Sequence, residues 1–474
     1  MVFNSVEFAV FLPLVFILYW TVLRKRQNAL LLVGSYIFYG WWDWRFLGLI
    51  LISTVTDFFV AQAIEDSDDA KRRRLFMYLS VAVNLGILGF FKYFDFFIDS
   101  AAETIESVGL NPNLPTLSIL LPVGISFYTF QTLGYTIDVY RRKMTASRNP
   151  LAFAVYVAYF PQLVAGPIER ASRLLPQIER LRVRLTSPEL RSGLYLILIG
   201  LFKKVVIADG LAPMVNEAFG RSGSGDWVRL LLGIYAFALQ IYGDFSGYSS
   251  IARGTSRLLG IELMENFRQP YLSRNITHFW RTWHISLSTW LRDYLYITLG
   301  GNRKGRIFTY RNMMLTMLLG GLWHGAAWTF VVWGGLHGLY LAAHRSLRHR
   351  SPKAAEDPFT WNDLVPTLVT FHLVGLSWIF FRADSFTQAW EYLTGIVTLR
   401  GGLPNMIALG DMLILLVPLG LASLVIDLAQ RQGRSQLAIL QWPVVQRGLA
   451  YGVMLVALIV FTGSGTVPFI YFQF

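Results

Sequence analysis

The chain has 474 residues, 54% of them hydrophobic and only 15% charged, with a net charge of +13 and no cysteine. Soluble domains carry about 25% charged residues, so this is the composition of a polytopic membrane protein. The missing cysteine excludes disulfides, thiolate metal sites and a cysteine acyl-enzyme; thioester chemistry would need a thiol from a substrate or partner.

The basic residues imply no nucleic-acid partner. They cluster beside apolar runs, at Arg24-Lys25-Arg26, Lys71 to Arg74 and Arg141-Arg142-Lys143, the pattern of cytoplasmic loops in the positive-inside rule. A bilayer core takes about 20 apolar residues per helix. The first run, 8–23, has no basic flank before it and no small-residue cleavage site, so it reads as a membrane helix and not as a removed signal peptide. Runs 28–42, 46–64, 75–91 and 116–138 follow. Basic clusters come after the first, third and fifth runs, while Asp95, Asp99, Glu103 and Glu106 lie between the fourth and fifth. That alternation puts the N-terminus outside and the basic clusters in the cytoplasm.

Residues 151–165 are too short for a crossing and end in Ala165-Gly166-Pro167. Arginines follow from Arg170 to Arg191, so this run reads as a re-entrant element. Helices near 192–209 and 227–250 go out and return. The segment 251–312 is basic and aromatic without a clean span, as suits helices at the interface. Basic residues flank 313–343 on both sides, which predicts one helix entering and one leaving; a single tilted helix would invert everything after it. Gly321/Gly325 and Gly334/Gly338 are spaced for close helix packing. Spans at 364–381, 411–429 and 447–465 complete a single membrane domain over residues 1–474.

All seven histidines lie between 278 and 372. His324 stands in LLGGLWHGAAWTFVVWGGLHG (318–338), and an ionisable group inside the membrane marks a functional site by default. Burial disfavours the charged form of an imidazole, which leaves it able to accept a proton at neutral pH. The competing reading is a core histidine bonded to a carbonyl. His344 and His349 fall in a basic stretch and read as solvated, His372 as a satisfied core residue. His337 is rotated about 220° from His324 on a continuous helix, so the two share a site only if the chain breaks, for which Gly334-Gly335 is the place. His284, in FWRTWHISLSTWLRDY, is the candidate partner: a second imidazole orients a base or donates to an oxyanion. Zinc on the two histidines and Asp244 lacks an HExxH or paired-His spacing, so no metal is expected. Two classes remain, an intramembrane transferase with His324 as general base and a transporter using His324, Asp57 and Asp244. No inverted repeat is visible, which favours the transferase.

Several long motifs then occur in order: SYIFYGWWDWRF (35–46), LPVGISFYTFQTLGYTIDVYR (121–141), YFPQLVAGPIERAS (159–172), YGDFSGYSSIARG (242–254), NITHFWRTWHISLSTWLRDYLYITLGGNR (275–303), GLWHGAAWTFVVWGGLHG (321–338) and the terminal FIYFQF. Through nearly its whole length the chain resembles the membrane-bound O-acyltransferases, with Ser250 where many relatives carry Asp. The resemblance implies an all-α polytopic membrane fold of about ten spanning helices, with re-entrant and interfacial helices around a central tunnel. It implies that His324 is the central catalytic histidine and His284 the second active-site position, with Trp323, Trp283 and Asp244 as tunnel or support positions. It further implies no bound cofactor, acetyl-CoA or another acyl thioester as donor, and a polysaccharide acceptor such as alginate outside the inner membrane. Transfer is either direct or through a periplasmic SGNH-type partner. D-alanyl transfer toward teichoic acid is the near alternative, and transport of activated acyl groups the distant one.

Overall fold

The computed structural model describes residues 1–111, 117, 119–347, 359–402, 406–462 and 469–470. Among these every regular element is helical. They divide into two compact units, Met1–Leu190 with Thr255–Met264, and Arg191–Gly254 with Glu265–Phe474.

In the first unit, helices Val6–Trp20, Gln27–Asp43, Leu47–Glu65 and Ala70–Leu88 take the places of the first four predicted spans. Their starts follow the sequence: Ser5 accepts from the Phe8 N–H at 3.2 Å, and Asp69 accepts from the Lys71 N–H at 2.9 Å, each satisfying an otherwise orphaned amide. Beyond Leu88 a π-helical turn, Gly89–Tyr93, leads into the helix Phe94–Ser107. The acidic stretch between the fourth and fifth predicted spans is therefore helical: Asp99, Glu103 and Glu106 are exposed along it, while Asp95 accepts from the Leu117 and Ile119 N–H groups at 3.2 and 3.0 Å. The predicted span 116–138 is helical only over Ile125–Tyr140; residues 116 and 118 lie outside the described residues. Gly124 sets that start. Its φ is +77°, and a Cβ there would stand 2.8 Å from the Leu163 carbonyl oxygen, so only glycine fits.

The 151–165 run is two short helices, Pro150–Ala158 and Phe160–Leu163, broken at Tyr159 ahead of Pro161. Thirteen residues of helix span about 20 Å, short of a bilayer core of about 30 Å, as a re-entrant element requires. Three helices of this unit are tied by a polar cluster. The Asp57 carboxylate accepts from Ser80, from Asn84 Nδ2 at 2.8 Å and from Thr136 Oγ1 at 3.1 Å, which answers most of the need of a fully buried carboxylate.

Helix Trp227–Leu258, which belongs to the second unit as far as Gly254, runs past the predicted end at 250. It packs backbone-close on the π-helical stretch Phe202–Ala208: a Cβ on Gly247 would lie 2.7 Å from the Gly200 oxygen, and one on Gly243 2.9 Å from the Lys203 oxygen. Buried Lys204 bridges Asp209 at 2.7 Å and Asp244 at 3.0 Å. The basic, aromatic segment beyond 258 holds only short elements, among them Ile276–Thr282, Ile285–Trp290 and the π-helical Leu291–Tyr296.

The run 313–343 is two antiparallel helices, Arg306–His324 and Trp328–Leu347, so the single tilted helix is overturned. A Cβ on Gly321 would sit 2.2 Å from the Phe330 oxygen and one on Gly334 2.2 Å from the Met317 oxygen, which is the close packing the glycine spacing predicted. The chain breaks at 325–327, directly after His324, and not at Gly334-Gly335. Gly334 is consumed by helix packing, while extended Gly325 lies under the Phe330 ring, 2.1 Å from where its Cβ would be.

Among the described residues six helical stretches are long and apolar enough to cross a membrane: Arg24–Glu65, Ala70–Ser107, Trp227–Leu258, Trp361–Arg382, Leu409–Gln432 and Val444–Phe461. This is fewer than the ten expected, in part because Arg24–Glu65 joins two predicted spans without a non-helical break. Val6–Trp20 and Pro150–Leu163 are shorter apolar helices. The last long helix leaves Val445, Leu449, Val453, Val456 and Ile459 exposed, an apolar surface suited to lipid.

Candidate active site

His324 is the last residue of its helix, and the turn at Gly325 removes the backbone that would otherwise continue over it. Only 4% of it is exposed. Its ring is enclosed by Trp323 and Trp333, both with centroids at 5.0 Å, and by Phe381 at 5.3 Å. His284 approaches from the Ile276–Trp290 region, with its ring centroid 6.4 Å from that of His324. The two predicted histidines therefore share one site, 40 positions apart in sequence and on separate elements.

His284 is fully buried and holds an unusual backbone, φ 43° and ψ 56°, at the start of helix Ile285–Trp290. A non-glycine residue in this region costs of order 1 kcal/mol or more and persists only where its surroundings enforce it. Asn266 enforces it. The Asn266 main-chain oxygen accepts from the Ile285 N–H at 2.9 Å, and its Oδ1 accepts from the Ser286 N–H at 3.2 Å and from Ser286 Oγ at 2.9 Å. These donors fix which end of the amide is oxygen. Since His284 Nδ1 stands 3.1 Å from that same oxygen, Nδ1 carries the proton and Nε2 the lone pair. Phe245 packs edge-on against the imidazole at 4.6 Å and Phe267 lies at 6.5 Å. Loss of water holds the His284 pKa far below its ordinary value, at about 3, so the ring is neutral at physiological pH.

The remaining predicted positions are sorted by these contacts. Trp323 touches both histidines, at 5.0 Å and 5.9 Å. Trp283 belongs to the aromatic pillar behind them, with Phe267 at 5.1 Å, Trp378 at 5.1 Å and Phe279 at 5.5 Å. Asp244 is a structural tie: one oxygen meets Lys204 and the other accepts from the Ile470 N–H at 2.7 Å. Ser250 Oγ donates to the Ser246 oxygen at 2.8 Å, so this hydroxyl serves its own helix.

His337 approaches the site after all, one ring removed. Trp333 lies between it and His324, at 4.8 Å and 5.0 Å. His344, read as solvated, bonds Thr277 Oγ1 at 2.9 Å and lines a cavity of about 1120 Å³ together with Trp280, Arg281, Arg292, Met317 and Arg345. The basic segment folds back over the hairpin, so its charges face this hollow. His372 is exposed on helix Leu364–Arg382 and is not a core residue; Nδ1 donates to the Leu368 oxygen at 2.7 Å and Tyr235 donates to Nε2 at 2.8 Å. His349 lies outside the described residues. Asn266, Trp333 and Phe381 were not singled out from sequence. None has a spacing signal toward His284 or His324, and only the tertiary fold brings them there.

A family model described as MBOAT, membrane-bound O-acyltransferase family, matches residues 142–368, which include both histidines. The chain is 46% identical over 396 residues to the probable alginate O-acetylase AlgI of Azotobacter vinelandii, covering 82% of this chain and 77% of that protein. It is 45% identical to the probable alginate O-acetylase AlgI of Pseudomonas aeruginosa, over 82% of this chain and 74% of that one. It is 37% identical to the peptidoglycan O-acetyltransferase of Helicobacter pylori, over 85% and 80% respectively. An all-helical membrane protein with this motif order and these relatives belongs to the membrane-bound O-acyltransferase family and is an O-acyltransferase.

Proposed function

We propose that this enzyme moves an acetyl group from a cytoplasmic thioester, acetyl-CoA, to hydroxyls of a polysaccharide outside the bacterial inner membrane, with alginate as the first candidate acceptor. The observation that carries the reading is the pair of buried histidines closed in by aromatic rings, in a chain similar over most of its length to alginate O-acetylases. The cavity lined by Arg281, Arg292, His344 and Arg345 is the entry for the donor, since clustered guanidinium groups suit phosphate oxygens. Met317 on its wall and His324 share a helix face, seven residues or about 10 Å apart, which a thioester arm crosses as the tunnel of this reading.

At the centre, His324 takes the proton of the attacking hydroxyl as the new C–O bond forms at the thioester carbonyl, and returns it to the departing thiolate when the C–S bond breaks. His284 acts through its Nε2 lone pair, as an acceptor that orients the hydroxyl or the His324 ring, because its Nδ1 proton is committed to Asn266. The acceptor is the polysaccharide itself or the serine of a periplasmic SGNH-type partner. The test is transfer from labelled acetyl-CoA in proteoliposomes, following thiol release and label on an external acceptor. Folded His324→Ala is expected to lose both signals by at least 100-fold and His284→Ala to lose most of them; unchanged transfer in His324→Ala would sink the general-base assignment.

A further inference from the structure

Trp333 is fully buried, yet its Nε1–H has no hydrogen-bond partner among the described residues. A buried donor left unpaired costs roughly 1–3 kcal/mol, and such groups are rare enough in folded proteins to need a reason. Its neighbours are already spoken for. Trp280 Nε1 donates to His337 Nδ1 at 3.3 Å, His337 Nε2 pairs with Ser377 Oγ at 2.9 Å, and Ser377 in turn donates to the Val374 oxygen at 2.7 Å. His337 thus has no lone pair to offer Trp333. Trp378 Nε1 donates to the Tyr271 hydroxyl at 3.2 Å. The Trp333 ring itself is clamped, stacked on Trp378 at 5.6 Å and edge-on to His324 at 5.0 Å, with Phe381 at 5.2 Å and Trp280 at 5.8 Å. Trp280 is also a wall of the cationic cavity, so an acyl group passing from there to His324 meets the Trp333 indole.

Acyl transfer needs a donor for the oxygen that becomes negative as the hydroxyl adds to the carbonyl. His284 does not supply one while neutral, because its only proton is bonded to Asn266. We propose that the Trp333 Nε1–H is the oxyanion donor of this site, held unpaired in the ground state and bonded to the thioester carbonyl oxygen in the tetrahedral intermediate. This rests on the acyl-transfer reading above. In the step, the hydroxyl oxygen bonds the carbonyl carbon, its proton goes to His324, and the carbonyl electron pair moves onto the oxygen facing Trp333. Collapse reforms C=O, breaks C–S and returns the proton to the thiolate.

The test compares wild type with Trp333→Phe, and with the indole replaced by benzothiophene through 3-benzothienylalanine at 333, which keeps the ring shape and puts sulfur in place of N–H. Both are expected to lower kcat about 100-fold, the loss typical of one oxyanion donor, with the donor KM within twofold; the benzothienylalanine enzyme, which keeps the ring volume, should melt no lower than wild type, whereas Trp333→Phe melts lower because it leaves a cavity in the clamp. A structural tryptophan would not give that split, since removing an unsatisfied donor does not destabilise. A benzothienylalanine enzyme with wild-type kcat would overturn the proposal, as would a loss in that enzyme carried by KM or by melting temperature. Wild-type protein that transfers no acetyl from any thioester would instead sink the acyl-transfer reading; loss in His324→Ala with full activity in both Trp333 variants would sink this proposal alone.

Discussion

A fully buried neutral imidazole makes stability depend on pH, and His284 gives that dependence a sign. Its folded pKa of about 3 lies below the ordinary 6.5, so between those values the unfolded chain binds a proton that the folded site refuses. Its contribution is complete above pH 6.5 and is lost as pH falls toward 3, by at most about 1.4 kcal/mol per pH unit. Thermal melts in detergent should therefore show wild type losing stability from pH 7 to 4 faster than His284→Gln, whose side chain does not titrate. A gap between the two that stays constant with pH would mean that water reaches the imidazole. His324 was legible as a candidate because an ionisable group in an apolar run is expensive and rare, and His284 as a second imidazole able to partner it. Asn266, which fixes the His284 tautomer, was not legible: it is 18 positions upstream, with nothing periodic linking the two. His372 was misread as a core residue, because local hydropathy says whether a stretch is apolar and not which side of its helix faces outward.

The hairpin that carries His324 depends on where its glycines fall. Gly321 and Gly334 face backbone oxygens so closely that a methyl group at either must push the helices apart. Gly320 differs: a Cβ there meets only Leu291 Cδ1, at 3.1 Å, a flexible side chain. Gly321→Ala and Gly334→Ala are each expected to cost at least 2 kcal/mol, roughly the scale of a strained core substitution, with activity lost along with the fold. Gly320→Ala should hold or raise the melting temperature, because alanine favours a helix over glycine by about 1 kcal/mol. Equal melting of all three variants would mean that the two helices do not pack through this seam. The basic residues flanking 313–343 made the hairpin legible, and the glycine spacing its close packing. The exact break was not, because Gly325 and the Gly334-Gly335 pair look alike in sequence and differ only in what presses on them.

At the scale of the whole molecule the charge pattern makes a topological prediction, and the absence of native cysteine makes it clean to test. Single cysteines at Lys25 and Lys71 should react with an impermeant maleimide only in inside-out vesicles, and one at Glu103 only from the external face. Labelling of Lys25→Cys and Glu103→Cys from the same side would overturn the N-out arrangement. Composition, charge clusters and motif order determined by themselves that this is an all-helical membrane protein and which family it belongs to, and they singled out His324 and His284 as candidates, because hydropathy and rare polar residues are local properties of the chain. The tertiary structure alone decided that the two imidazoles meet at 6.4 Å, that Asn266 commits one nitrogen of His284, that Asp244 is spent on Lys204 and that the Trp333 ring, whose N–H has no partner among the described residues, lies beside His324. Each of those depends on which side chains, distant in sequence, are pressed together once water is excluded, and no local pattern encodes that.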